Sequence, residues 1–249
     1  MKERILLMGG PDSGKTRALL TVAAWHQKRG SDATFYILSN DMGYEPYLVG
    51  GEFADLDNLV VEDVATMAEY LDAARRIRSK VREHDWFTID LLNGGWEAAQ
   101  DEYAEKRYGR DLSDYWMTKL ATEGEDFPVG GWEWGPINKR YRDLANNCML
   151  RMPCHVMCMS AQTGLREASK SGKGGEDPKI KAMFERLGCK PAGQKDDPHR
   201  FHTVIHLSQV SKAKWVMNTA RDRNREKMEG VEVDSFFQSY LRRIGGWKP

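Results

Sequence analysis

The sequence predicts an α/β fold, with a mostly parallel central sheet, helices on both of its faces and a β-hairpin toward the C-terminal end. Three observations predict it. The apolar run Arg4–Met8 leads into a glycine-rich turn and then into a helical stretch, Thr16–Lys28. Strand-length apolar runs then alternate with stretches of helical period as far as Ser160, the pattern of repeated βα units. Finally, His202–Leu207 and Lys214–Thr219 are β-rich runs separated by a short turn. With 249 residues the chain can bury one large core, so residues 1–249 read as a single domain, with a helical insertion over 93–134.

The turn after the first strand is Gly9-Gly10-Pro11-Asp12-Ser13-Gly14-Lys15-Thr16, a match to the phosphate-binding pattern G-x-x-x-x-G-K-[ST]. Its setting between a strand and a helix is the one the pattern needs. Gly9 and Gly14 let the backbone turn its N–H groups inward, and the helix N-terminus adds partial positive charge. Lys15 is placed to reach the β- and γ-phosphates of a nucleotide, and the Thr16 hydroxyl to bind Mg²⁺. ATP and Mg²⁺ are therefore the expected ligands.

Along the chain, Leu19, Leu20, Val22, Ala23 and Trp25 form the apolar set of the first helix, which Gly30 ends. Ala33–Leu38 is the second strand. The polar run Ser39–Pro46 after it sets Asp41 and Glu45 at a strand's carboxyl end, where ligands bind in open α/β sheets. Asn58–Glu62 is a third strand, and Ala65–Arg82 an amphipathic helix with Met67, Tyr70, Leu71, Ala74 and Ile77 inward. Trp86–Asp90 is a strand ending in an acid, the form of a Mg²⁺-orienting carboxylate; a turn or helix-cap aspartate would look the same.

The insertion carries two short helices, around Trp96–Lys106 and Leu112–Leu120, and tryptophans that read as packing residues. Pro136–Arg151 is a helix and Pro153–Ser160 a strand, after which Ser160 and Gln162 are polar candidates to sense a γ-phosphate. Ser169–Gly175 is a basic flexible linker, Pro178–Leu187 a short helix and Gly188–Pro198 a polar loop. Arg221, Arg223 and Arg225 follow the hairpin. A last helix begins at an Asp234 cap, with Phe236, Phe237, Tyr240, Leu241 and Ile244 on one face.

Composition narrows the possibilities. No run approaches the ~18 apolar residues of a membrane span, and the N-terminus carries no signal-peptide pattern, which points to the cytoplasm. The cysteines Cys148, Cys154, Cys158 and Cys189 lack zinc-finger spacing and read as free thiols. Net charge is zero but segregated. Asp41–Asp126 holds 9 Lys/Arg against 21 Asp/Glu, whereas Thr163–Lys227 holds 15 against 8. A basic half of this kind can bind a polyanion, or it can pair with the acidic half or a neighbouring subunit.

Taken in order, the phosphate loop, Asp90, Gln162, the Lys-Pro-x-Gly stretch at Lys190–Gly193, the hairpin with His202–Ile205 and the Thr-x-x-Asp-Arg segment at Thr219–Arg223 resemble phage-encoded AAA/RecA-like P-loop ATPases, relatives of the single-strand-annealing-associated recombinases. The resemblance covers most of the chain. It implies a RecA-like core, Mg²⁺-dependent ATP hydrolysis, self-assembly into a ring or filament, and work on DNA, single-stranded DNA first, in recombination or replication; a phage-encoded chain would act in the host cytoplasm. It further implies a catalytic carboxylate at the second strand's end, with Asp41 the best match and Glu45 in reserve. Arg221 or Arg223 would reach a neighbour's γ-phosphate, and the family pattern favours Arg223. RecA-type proteins usually carry Glu where Asp41 stands, and Leu91 follows Asp90, unlike the Asp-Glu pair of many AAA proteins. A packaging or other translocating motor, a nucleotide-gated interaction protein and a small-molecule kinase are the other readings. A packaging subunit usually adds a nuclease domain for which this chain has no room, and the acidic insertion does not suit a kinase lid.

Overall fold

A computed structural model describes residues 2–123, 133–167, 175–212, 214–223, 227–233, 236, 240 and 241. The elements in order are β1 (Arg4–Met8), α1 (Lys15–Lys28), β2 (Phe35–Ser39), α2 (Glu45–Leu48), β3 (Leu59–Asp63), α3 (Met67–Lys80), β4 (Trp86–Asp90), α4 (Leu92–Tyr108), α5 (Leu112–Glu123), α6 (Trp134–Ala145), a π-helical turn (Asn146–Leu150), β5 (His155–Ser160), β6 (Gln162–Gly164), α7 (Pro178–Phe184), β7 (Cys189–Pro191), α8 (Asp197–Arg200), β8 (Thr203–Ser211), β9 (Lys214–Asp222) and β10 (Val231–Glu232). Among the described residues, no helix is long and apolar enough to cross a membrane.

Eight strands form one sheet in the order β10-β9-β8-β1-β5-β4-β2-β3. From β8 to β3 every pairing is parallel, and β9 runs antiparallel to both β8 and β10. The expected α/β architecture, mostly parallel sheet and C-terminal hairpin are therefore present. β5 lies between β1 and β4, so the strand that feeds the phosphate loop and the strand that ends at Asp90 are not neighbours.

β1 shows why the parallel strands read as unbroken apolar runs. Ile5 and Leu7 pack on one face with Leu19, Leu20, Val22 and Ala23 of α1, while Leu6 and Met8 pack on the other with residues of α3, α4 and α6. A strand covered on both faces has no polar side to alternate. α3 starts at a full capping box, in which Thr66 accepts from the Glu69 N–H and the Glu69 carboxylate accepts from the Thr66 N–H. α4, the first helix of the insertion, packs on α6, which follows the insertion. Trp96 stacks on Trp134 with ring centroids 6.0 Å apart and meets Tyr141 edge-on at 5.3 Å, so these two tryptophans serve packing.

Two expectations change. The Gly188–Pro198 stretch is not only loop: Cys189–Pro191 pairs antiparallel with Gln162–Gly164 as a two-stranded ribbon, and α8 follows. The helix expected over Pro136–Arg151 leaves α-geometry after Ala145, where the Arg151 N–H bonds the Asn146 carbonyl and the turn seats Cys148 and Met149 in the core. The four cysteines are free thiols, three of them buried. The proposed last helix, most of the Ser169–Gly175 linker and Arg225 lie outside the described residues; Phe236, Tyr240 and Leu241 are described and buried.

Candidate functional site

Gly9–Thr16 wraps from the carboxyl end of β1 into the first turn of α1. Gly14 is left-handed at φ 88°, and a Cβ on Gly9 would overlap the Leu207 carbonyl and the Ser13 hydroxyl, so both positions require glycine. The Lys15 ammonium sits inside the loop, donating to the Gly9 carbonyl at 3.0 Å, the Gly10 carbonyl at 2.8 Å and Ser13 Oγ at 3.3 Å. Burial lowers its pKa, and the charges of Asp90, Asp41 and Asp12 oppose that shift. A half-buried cation with three carboxylates around it and a helix N-terminus beside it suits a polyanionic ligand bridged by a metal ion.

Asp90, at the end of β4, is buried, and its carboxylate accepts a 3.3 Å hydrogen bond from the Thr16 hydroxyl. Burial, and then the negative charge of Asp41, push its pKa up to about 6. Asp41 sits in an exposed turn, its carboxylate accepting from the Gly43 N–H at 3.0 Å. Glu45 is also exposed, as the first residue of α2. Of the two, Asp41 is the carboxylate whose field reaches both Lys15 and Asp90.

Several neighbours had no sequence signal of their own. The Asn40 amide donates to Tyr70 Oη at 2.6 Å and to the Leu91 carbonyl at 2.9 Å, and its oxygen accepts from the Leu91 N–H at 2.9 Å. This clamp holds the chain immediately after Asp90, whose peptide bond to Leu91 is cis. A Cβ on Gly94 would overlap the same amide. Asn40 lies within a polar run that composition reads as a turn, so its role emerges only once β2 and β4 are paired.

Of the two sensor candidates, Ser160 is buried and donates to the Ala161 and Ala192 carbonyls at 2.9 and 3.0 Å, a structural use. Gln162 faces the loop, its amide nitrogen 3.6 Å from where a Cβ on Gly10 would stand. Its oxygen lies 2.8 Å from His206 Nε2, and Cys189 Sγ is 3.7 Å from each of those two atoms. Trp215, near the start of β9, donates its indole N–H to the Asp12 carbonyl at 2.9 Å.

Arg221 and Arg223 are not brought to this loop. Asp222 pairs with Thr203 at the amino end of β8, and the Arg223 N–H bonds the His202 carbonyl there, whereas the loop follows Met8, opposite His206. Arg221 is half-buried, 3.2 Å from the Pro198 carbonyl and 3.3 Å from His199 Nδ1; Arg223 is exposed. Both therefore stand at the opposite edge of the sheet from Lys15 of the same chain.

No protein-family model matches the sequence, and no curated protein is significantly similar to it. The functional reading therefore rests on the site itself.

Among the described residues, no group of three or more His, Cys, Asp or Glu side chains could hold a metal ion. The residues present suit Mg²⁺ in another way. Mg²⁺ commonly takes one or two protein oxygens together with waters and substrate phosphates, and Thr16 Oγ1 and the Asp90 carboxylate form such a pair of hard donors. An ionised carboxylate held in the core is costly even with the Lys15 charge nearby, which gives an expected result. Asp90→Asn should raise the melting temperature of the nucleotide-free protein at pH 7. Wild type holds a proton on Asp90 that the unfolded chain releases, so its disadvantage opens between pH ~4 and ~6 and stays level above, reaching on the order of 1–3 kcal/mol. Thermal melts of both proteins across that range measure the gap; a gap independent of pH would contradict the assignment of a buried, cation-seeking carboxylate.

Proposed function

We propose that this chain is a Mg²⁺-dependent, RecA-like P-loop ATPase that acts on DNA as a self-assembling oligomer. The observation that carries the nucleotide reading is the meeting of Lys15, Thr16 and Asp90. Lys15 and Thr16 open α1, behind the loop that follows β1, and Asp90 ends β4; β5 separates those two strands, and Thr16 Oγ1 lies 3.3 Å from the Asp90 carboxylate.

In this reading the loop amides and Lys15 hold the phosphates, since phosphoryl transfer needs positioning and charge neutralisation more than covalent help. Thr16 and Asp90 would hold Mg²⁺, which when bound neutralises charge on the β- and γ-oxygens. Asp41 orients or deprotonates the attacking water, a role its field at Lys15 and Asp90 supports over Glu45. Gln162 contacts the γ-phosphate from the β5 side, steadied by His206.

The DNA partner is proposed for the basic half of the chain, where Thr163–Lys227 carries 15 Lys/Arg against 8 Asp/Glu. Lys170 and Lys173, in the linker outside the described residues, are the residues assigned to phosphate contact. Single-stranded DNA should then stimulate ATP turnover, and its binding should weaken as salt rises, with a slope set by the phosphates neutralised. Replacing both lysines by glutamate should flatten that slope. ATPase assays with and without single-stranded DNA, beside salt titrations of binding, test this; salt-independent binding, or a slope the substitutions leave unchanged, would contradict it.

A further inference from the structure

A cavity opens directly against the phosphate loop. It has a volume of about 430 Å³, and Asp12, Ser13 and Gly14 form one wall. The rest is mainly apolar and aromatic, with Leu207, Trp215, Phe236 and Tyr47 converging on it from β8, β9, the C-terminal segment and the residues after β2. Phe236 is buried, and the Trp215 side chain packs toward Gly14, its Cδ1 3.6 Å from where a Cβ on that glycine would stand. The charged pair at its margin is Arg17, which donates to Glu52 from Nε at 3.0 Å and from its terminal nitrogen at 2.8 Å.

We propose that this pocket receives the base and ribose of the nucleotide whose phosphates lie on the loop, with Trp215 as the principal stacking surface. The inference rests on the reading of Gly9–Thr16 as a phosphate site and adds which residues hold the rest of the ligand. The occupant follows from continuity. A cavity whose wall is the phosphate loop, sized for a small molecule and lined by flat side chains, matches a planar base joined to phosphates. Its chemistry also suits a base: apolar faces accept ring stacking, and the backbone and hydroxyls of the loop offer polar atoms at the end where the sugar joins the phosphates. Trp215 has a second consequence. Because its indole N–H donates to the carbonyl of Asp12, a residue at φ 55°, the wall of the base pocket and the turn of the phosphate loop are tied together.

The experiment compares ATP with inorganic tripolyphosphate, both with Mg²⁺, by titration calorimetry on wild type, Trp215→Ala and Trp215→Phe. Wild type should bind ATP at least about 5-fold more tightly than tripolyphosphate, because the base adds a stacking contribution. Trp215→Ala should lose that advantage for ATP and keep tripolyphosphate affinity within about 2-fold, and Trp215→Phe, which keeps a ring but not the N–H, should recover most of the ATP preference. Equal binding of ATP and tripolyphosphate by wild type would overturn the proposal while leaving the phosphate site standing, and would assign the pocket to another occupant such as a side chain of a second copy. Equal weakening of both ligands in both variants would also overturn it, reducing Trp215 to a brace of the loop. Binding of neither ligand by folded wild type would instead remove the phosphate-site reading beneath it.

Discussion

Lys15→Ala should abolish ATP turnover, lowering it at least about 10²-fold, and leave the fold intact. The reason lies in what the ammonium touches. Its three hydrogen bonds go to the Gly9 and Gly10 carbonyls and to Ser13 Oγ, all within the loop, and none reaches the core. Removing it deletes the positive charge at the centre of a phosphate cradle while the buried side chains of β1 and α1 keep their packing. The melting temperature should therefore move by no more than a few degrees, as expected for a change outside the core. Steady-state turnover measured beside thermal melts separates the two effects. Full turnover in Lys15→Ala would contradict the assignment, and an unfolded variant would show that the loop lysine is structural.

The second large effect is expected from Arg223→Ala, which should retain ATP binding and lose on the order of 10³–10⁵ in turnover. Arginine suits the role because its planar, permanently charged fork holds two phosphate oxygens at once. Within one chain the residue stands at the sheet edge opposite the loop, so a role at the phosphates requires a neighbouring subunit. Arg221 is already engaged by the Pro198 carbonyl and His199, whereas Arg223 is exposed, which favours Arg223. Specific activity of the wild type should rise with protein concentration as subunits assemble. Mixing Arg223→Ala with Lys15→Ala should restore part of the activity that each lacks alone, because a mixed interface pairs an intact loop with an intact arginine. Mixed assemblies that stay inactive, while wild-type subunits exchange freely, would contradict a shared site.

How legible the site was depended on how local its signal is. Gly9–Thr16 is contiguous, and its glycines, lysine and threonine are read from spacing alone; Arg4–Met8 and Trp86–Asp90 are found as strands with the limits expected from their apolar runs. The Asn40 clamp and Trp215 belong to the opposite case. Each depends on a partner far along the chain, Leu91 for one and Asp12 for the other, and nothing in the flanking residues marks the pairing. The ribbon of Gln162–Gly164 with Cys189–Pro191 escaped notice because three-residue strands carry no periodicity and Lys190-Pro191-Ala192-Gly193 has the composition of a turn. The segregation of charge is visible in composition, but which of those charges are already spent is not. Lys190, for instance, is paired with Glu176, and Arg82 with both Asp32 and Asp85.

Titration calorimetry of the wild-type protein with ATP and Mg²⁺, repeated on Lys15→Ala, tests the central claim most directly. Saturable binding to the wild type, dependent on Mg²⁺ and lost or strongly weakened in the variant, is the result predicted by the meeting of Lys15, Thr16 and Asp90. Absence of binding at millimolar nucleotide, or binding that Lys15→Ala leaves unchanged, would contradict it.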